Sequence, residues 1–90
     1  MPKVRIPTPL RTLSGGASEV EVEGSTVAEV LKALEAAHPG FHDRLHDGEG
    51  NLRRFVNVFV ADEDIRFLSG VETPVEAGQT ISIIPAVAGG

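Results

Sequence analysis

The sequence contains no cysteine. A disulfide framework, a thiolate metal site, an iron–sulfur cluster and a cysteine nucleophile are therefore excluded from this chain. No Ser-His-Asp order, phosphate-binding glycine loop or paired-carboxylate site stands out either. We accordingly predict a protein that is not an enzyme, with no catalytic residues, no metal site and no intrinsically bound cofactor.

Long apolar stretches are also missing. The opening residues, MPKVRIPTPLR, carry basic side chains but no continuous apolar run after them, unlike a secretory signal. No later run approaches the roughly 20 apolar residues that a membrane span requires. We expect a cytoplasmic protein without a membrane partner.

Basic and aromatic residues are few. The chain has 8 Lys and Arg against 13 Asp and Glu, a formal net charge of −5, and only 4% aromatic residues. Surfaces that bind nucleic acid carry clustered basic side chains, often interleaved with aromatic ones. Nucleic acid is therefore not a predicted partner.

The first half of the chain predicts two strands and a helix. Residues 3–7 and 18–23 alternate apolar and charged side chains, the period of a strand with one buried face, and the glycines between them favour a hairpin. Thr26 and Glu29 have the spacing of a capping box. The following helix places four apolar residues on one face, Val27, Val30, Leu31 and Leu34.

The second half predicts three more strands. His38-Pro39-Gly40 ends the helix, and residues 41–54 are interpreted as a loop apart from a short helical turn around 41–45. Residues 55–60 (FVNVFV) form the strongest predicted strand, followed by a turn, a short strand at 65–67 and a last strand at 80–84 that Pro85 closes. This order predicts one α+β domain over residues 1–85, a β-grasp with a mixed sheet and one main helix packed on one face.

Residues 86–90, Ala-Val-Ala-Gly-Gly, are predicted to form a flexible tail that ends in Gly90. Glycine lets backbone pass through a channel too narrow for other residues, so Ala86, Val87, Ala88 and Gly89 are predicted to thread into a partner's active site. From Pro85 the extended chain reaches roughly 17 Å. Taken alone, such an ending is equally consistent with a frayed terminus.

Two segments, RFVNVFVADEDIRF and GQTISIIPAVAGG, resemble the MoaD/ThiS family of ubiquitin-like sulfur carriers. The similarity extends from the RIPTPLR strand through the helix entry to the tail. Within the family, the chain most resembles the actinobacterial CysO-type carriers of cysteine biosynthesis.

This resemblance implies that an E1-like adenylyltransferase uses ATP to activate the Gly90 carboxylate, which sulfur then converts to a thiocarboxylate. For the CysO type it further implies transfer of sulfur to an activated serine on a PLP-dependent cysteine synthase. A metal-dependent peptidase would release the resulting cysteine. None of these partners is encoded in the chain itself.

A docking surface for such partners is predicted beside the tail. The alternation of the strands places Phe59 and Ile84 on the face opposite the helix, next to Pro85. The alternative is that residues 40–54 fold over Phe59 and Ile84 as a second small core.

Three histidines, His38, His42 and His46, recur every four residues, a spacing that permits metal binding within one helix. Pro39 and Gly40 interrupt that helix, so the sequence favours solvent-exposed histidines and no metal site.

Three other functions remain open on sequence alone. The protein could be a ubiquitin-like modifier conjugated to lysines through Gly90, or a sulfur carrier for molybdopterin or a specialised metabolite. It could also be a β-grasp interaction module that does not use its tail.

Overall fold

A computed structural model describes residues 1–53 and 55–85 of the chain. The strands within these residues form one sheet: β1 (Lys3–Arg5), β2 (Glu19–Glu21), β3 (Val56–Val60), β4 (Glu63–Asp64) and β5 (Thr80–Pro85). The α-helices are α1 (Val27–Ala37) and α2 (Phe41–Leu45), and short 3₁₀ helices span Thr8–Leu10, Ile65–Phe67 and Gly70–Glu72. None of the helices in this part of the chain has the length and apolar character needed to cross a membrane.

The sheet is mixed, with strand order β2-β1-β5-β3-β4. β1 and β5 run parallel at its centre, and the other neighbouring pairs, including the predicted β1–β2 hairpin, are antiparallel. Because β5 is the central strand, the chain leaves the sheet at Pro85 with β1 on one side and β3 on the other. The root of the tail is thereby set in the middle of one end of the sheet.

Helix α1 covers one face of the sheet, as predicted. Its four apolar residues are all buried, and so are the alternate residues Val56, Val58 and Val60 of β3 and Ile81 and Ile83 of β5. Burying the alternate residues of each strand fixes the register, because a slip by one residue would turn these side chains outward. The opposite face is left to the remaining side chains of the strands.

The start of α1 is capped by the predicted pair. Thr26 Oγ1 accepts a hydrogen bond from the Glu29 N–H at 3.2 Å, and a Glu29 carboxylate oxygen accepts one from the Ser25 N–H at 2.9 Å. In a standard capping box the glutamate accepts its hydrogen bond from the N–H of the N-cap residue itself. Here Glu29 accepts it from Ser25, one residue before the N-cap Thr26.

Helix α2 confirms the short helical turn predicted at 41–45. Phe41 and Leu45, four residues apart, are 0% and 1% exposed and belong to the main core. The Glu35 carboxylate on α1 accepts hydrogen bonds from the backbone N–H of His42 at 2.7 Å and of Gly40 at 3.2 Å. This contact ties the start of α2 to the end of α1.

The predicted short strand at 65–67 is wrong. The turn after β3 contains only Ala61 and Asp62, both with positive φ as in a type I′ hairpin turn. The returning strand, β4, therefore begins at Glu63, two residues before the predicted strand. Asp64 then caps the 3₁₀ helix Ile65–Phe67 by accepting a hydrogen bond from the Arg66 N–H at 2.9 Å. Ile65 is buried, whereas Phe67 is 87% exposed.

Candidate functional site

The candidate site begins at Pro85, where β5 ends opposite Val56 of β3. The predicted tail residues Ala86, Val87, Ala88 and Gly89, and the predicted reactive residue Gly90, lie outside the described residues. The surface that surrounds Pro85 is described, and it determines what a partner meets when it engages the root of the tail.

One side of Pro85 is bordered by a cleft of about 490 Å³, the arginine cleft, whose lining includes Arg5, Arg11, Glu19, Ile84 and Pro85. Arg11 is held there by a hydrogen bond that its Nε donates to the Ile6 carbonyl oxygen at 3.0 Å. Its terminal guanidinium nitrogens are left as donors, and Arg11 makes no ion pair among the described residues. The cleft therefore offers positive charge beside the tail.

The other side of Pro85 is bordered by an apolar groove of about 390 Å³. Its apolar lining is Pro9, Leu10, Leu45, Phe55, Val56 and Pro85. Leu10, Leu45 and Val56 are the outer surface of the core, whereas Phe55 is 50% exposed. An apolar surface and a basic surface thus flank the same residue.

The predicted docking residues lie on the face of the sheet opposite α1. Ile84 is 49% exposed and sits opposite Asn57, while Phe59 is half-buried and sits opposite Ser82. Segment 40–53 contributes Phe41 and Leu45 to the core instead of covering Ile84. The alternative of a second core is not what the structure has, and a docking role for Phe59, Ile84 and Pro85 stays a prediction.

Fixed charges lie next to Phe59 at the edge of the sheet. The Arg66 guanidinium contacts the Asp64 carboxylate at 2.8 Å and also donates a hydrogen bond to Asn57 Oδ1. Hydrogen bonds from the Arg66 side chain and backbone lower the pKa of Asp64, and the Asp64 carboxylate raises the pKa of Arg66. This edge therefore keeps both charges in place over the working range of pH.

Comparison with known proteins identifies the family. The family model described as "ThiS family" matches residues 4–90 of this chain. The chain belongs to the ThiS family.

Relatives within and around the family agree with this assignment. The sulfur carrier protein CysO of Mycobacterium tuberculosis is 46% identical over 89 residues, covering 97% of this chain and 96% of the relative. A chain of the crystal structure of the Amycolatopsis orientalis BexX/CysO complex is 49% identical, with full coverage of both chains and a TM-score of 0.93. Small archaeal modifier protein 3 of Haloferax volcanii is 35% identical over 68 residues, covering 76% of this chain and 73% of the relative.

These similarities confirm the ubiquitin-like β-grasp fold and the recognised family of sulfur carriers. They also confirm that this ThiS-family chain is a small carrier-type protein and not an enzyme, because its relatives are named as carriers and modifiers. The ATP requirement and the partner enzymes are not covered by these names, and they belong to the proposed function.

The three histidines of this ThiS-family chain do not converge. The rings of His42 and His46 are stacked, with centroids 4.3 Å apart, and His46 Nδ1 lies 3.1 Å from the His42 carbonyl oxygen. His38 instead meets the edge of Phe41. Across residues 1–53 and 55–85, no three metal-binding side chains come together.

Sequence reasoning missed several surface residues around the site. Arg11 and Phe55 line the two depressions at Pro85 because β1 and β5 end where β3 begins, and the order of strands along the chain does not reveal this. The sequence predicts a strand at Phe67, but β4 ends at Asp64 and Phe67 lies in the following 3₁₀ helix, where its side chain is exposed. The positive φ values of Ala61 and Asp62 give no signal in the residue types, since neither is glycine.

Proposed function

We propose that this chain is a sulfur carrier whose Gly90 carboxylate is activated and converted to a thiocarboxylate. One observation carries the proposal: the ThiS-family match runs to residue 90 and so includes the whole Gly-Gly tail. The 46% identity to a protein named as a sulfur carrier supports it over nearly the full length.

The chemistry requires activation because a carboxylate is a poor electrophile. An E1-like adenylyltransferase joins the Gly90 carboxylate to the AMP part of ATP, and pyrophosphate leaves. Sulfide then attacks the carbonyl carbon and AMP leaves, which gives the thiocarboxylate. If the donor is a persulfide, the same attack gives an acyl disulfide, and a second thiol must cleave its S–S bond, forming a disulfide with the donor, to release the thiocarboxylate. The carrier supplies the electrophile, and ATP is bound by the partner.

The acceptor we propose is the precursor of cysteine. The thiocarboxylate sulfur replaces the phosphate of an activated serine such as O-phosphoserine on a PLP-dependent cysteine synthase, which gives a thioester between Gly90 and the new cysteine. The cysteine amine then attacks the thioester carbonyl and the thiol leaves, so that an amide bond joins the cysteine to Gly90. A metal-dependent peptidase then hydrolyses that bond, which releases cysteine and regenerates the carboxylate. Similarity to proteins named CysO supports this acceptor over molybdopterin or another metabolite.

The surface around Pro85 supports the engagement of an enzyme. Phe59 and Ile84 provide apolar contact area on the exposed face of the sheet, and the arginine cleft offers charge beside it. Residues 86–89 have small side chains apart from Val87, which suits threading into a narrow channel. A similar protein has been crystallised in a BexX/CysO complex, which supports binding of this chain to a partner.

The test is a reconstitution with ATP, a sulfide source and the co-encoded activating enzyme. Intact mass and thiol-selective alkylation are measured together, because oxidation of Met1 gives nearly the same nominal mass change as replacing oxygen by sulfur. We expect an alkylated product that maps to Gly90 and does not form in the Gly90-deleted chain. An active enzyme that neither adenylates nor thiolates the full chain contradicts the proposal.

A second candidate, a protein modifier, is favoured by the 35% identity to small archaeal modifier protein 3. In that case the activated Gly90 carbonyl forms an isopeptide bond with a lysine amine. Conjugates that resist thiols, run above the free chain on denaturing gels and disappear on deletion of Gly90 would support it. A chain that works equally well without Gly89 and Gly90 would point instead to a tail-independent interaction module.

A further inference from the structure

A third depression, the helix-side groove, lies away from the root of the tail. It has a volume of about 600 Å³ and is formed by α1, by the segment that begins in α2 and ends at Leu52, and by the 3₁₀ helices at 65–67 and 70–72. No residue lines both this groove and either depression at Pro85. Within the described residues it is therefore a different depression from the two at Pro85.

The floor of the helix-side groove is apolar. Leu31 and Ile65 are buried members of the core, and Leu52 and Val71 are partly buried side chains packed against it. A partner that covers this floor removes apolar surface from water, which favours binding. The floor therefore suits an apolar side chain of a partner.

The rim of the groove is basic in a chain that is acidic overall. Lys32, His42, His46 and Arg66 line it, and none of the 13 Asp and Glu residues does. Arg66 is already paired with Asp64, and His42 Nδ1 lies 3.8 Å from Asp43 Oδ1. In the described residues, no carboxylate lies within 4.0 Å of the Lys32 ammonium. Of the charges on this rim, Lys32 is thus the most available to a ligand.

We propose that the helix-side groove docks a short acidic segment of a partner protein in which apolar residues are flanked by carboxylates. The apolar side chains cover the floor, and the carboxylates pair with the rim. The net charge of −5 repels an acidic partner from most of the surface, whereas this rim has no carboxylate to repel it. The two depressions at Pro85 also carry basic side chains, but Glu19 lines one and Asp43 lines the other. Docking here does not cover Pro85, which does not line the groove, and it does not depend on Gly90.

The test is amide chemical-shift mapping of the full ¹⁵N-labelled chain with three blocked peptides. The first has a leucine and a phenylalanine flanked by glutamates, the second replaces the glutamates by lysines, and the third replaces the two apolar residues by serines. We expect only the first peptide to shift the amides of Leu31, Leu52 and Val71, and its affinity to fall as salt is raised.

Variants of the chain provide the controls. Lys32→Glu is expected to weaken the acidic peptide at least about fivefold, and Lys32→Gln less, because reversing an exposed charge replaces attraction by repulsion. Lys3→Glu makes the same charge change in β1 on the other side of the sheet and is expected to leave the affinity unchanged. The Gly90-deleted chain is expected to bind like the full chain, which separates this result from the fate of the proposed sulfur chemistry.

Several outcomes overturn the proposal. These are the absence of shifts with the acidic peptide, equal shifts with the lysine peptide, or equal weakening by Lys3→Glu and Lys32→Glu. If acetate at the same carboxylate concentration gave the same shifts, the groove would bind simple anions and not a peptide segment. Shifts that appear on concentrating the chain alone would assign it to a second copy of this chain.

Discussion

At the residue scale, Asp64 joins the fold to the charge pattern of the candidate docking face. Its side chain is 10% exposed, caps a 3₁₀ helix through the Arg66 N–H, and forms an ion pair with the Arg66 guanidinium. These bonds favour the ionised carboxylate, which is why its pKa is lowered from the ordinary value of 3.8. The stabilisation from this group is therefore present above the unfolded-state pKa and is lost as the pH falls through the folded-state pKa.

We predict that Asp64→Asn destabilises the protein at neutral pH and has less effect in acid. The difference between the urea midpoints of the parent chain and the variant should shrink as the pH falls from about 6 to below 3.8, the ordinary pKa of an aspartate. Glu49→Gln is the matched control, because the Glu49 side chain is exposed and makes no ion pair in the described residues. A pH-independent difference for Asp64→Asn would show that the ion pair does not contribute to stability.

At the scale of elements, the junction between β2 and α1 is tightly packed at Gly24. A Cβ atom at this position would lie 2.7 Å from the Val30 backbone nitrogen and 2.7 Å from Val30 Cγ2. Val30 is fully buried and belongs to α1, so neither atom can move without disturbing the packing of the helix. The absence of a side chain at Gly24 therefore allows the segment before α1 to pack directly against Val30.

We predict that Gly24→Ala destabilises the fold by about 1–3 kcal/mol, because the added methyl group forces α1 away from the sheet. Gly48→Ala is the control, since a Cβ there meets nothing within 4 Å and Gly48 does not have positive φ. Its effect should stay within about 0.5 kcal/mol in urea unfolding. Equal losses in the two variants would mean that the approach to Val30 is not what position 24 requires.

The elements that could be predicted are those whose pattern is set by burial over several residues. Val56, Val58 and Val60 alternate, and α1 repeats its apolar residues at helical spacing, so tertiary packing reinforces the local signal. The segment Ile65–Phe67 could not be predicted, because Ile-Arg-Phe fits a strand equally well over three residues. Its structure depends on the turn before it and on the cap from Asp64, which are decided by register.

The same distinction between local and non-local information applies to the candidate site. The Gly-Gly tail and the outward position of Ile84 follow from the sequence, because they depend on residue type and on the alternation of one strand. The arginine cleft and the helix-side groove each combine residues from three or more segments of the chain. Their assembly depends on which strands are neighbours, and that information is not local.

At the scale of the whole molecule, the two faces of the sheet differ in what they carry. One face carries α1 and the core, while the other keeps Ile84 and Phe59 close to the end of the central strand β5. A partner that binds this second face lies next to Pro85, the last described residue of β5. Phe67, although more exposed than Ile84, lines neither depression at Pro85.

We predict that Ile84→Asp lowers kcat/KM for thiocarboxylate formation at least about tenfold with little change in the urea midpoint. The reason is that a charge replaces an apolar contact at the centre of the proposed docking face, while the folded chain already exposes half of this side chain. Phe67→Asp is the matched control and should retain activity. The reverse ranking of the two variants would move the docking surface to the 3₁₀ helix at 65–67.

The length of the tail gives a final prediction about the whole molecule. Deleting Ala86 and Val87 keeps the Gly-Gly ending but shortens the maximum reach from Pro85 by about 7 Å. Since a displacement of about 1 Å from a reacting geometry can cost a hundredfold in rate, we expect activation of Gly90 to fall at least about a hundredfold. The control is the double variant Ala86→Ser with Val87→Ser, which keeps the length and should stay within a few fold of the parent chain. Adenylate formation in single-turnover reactions distinguishes the two, and normal activation of the shortened chain would mean that the enzyme recognises the ending alone and not its distance from the folded domain.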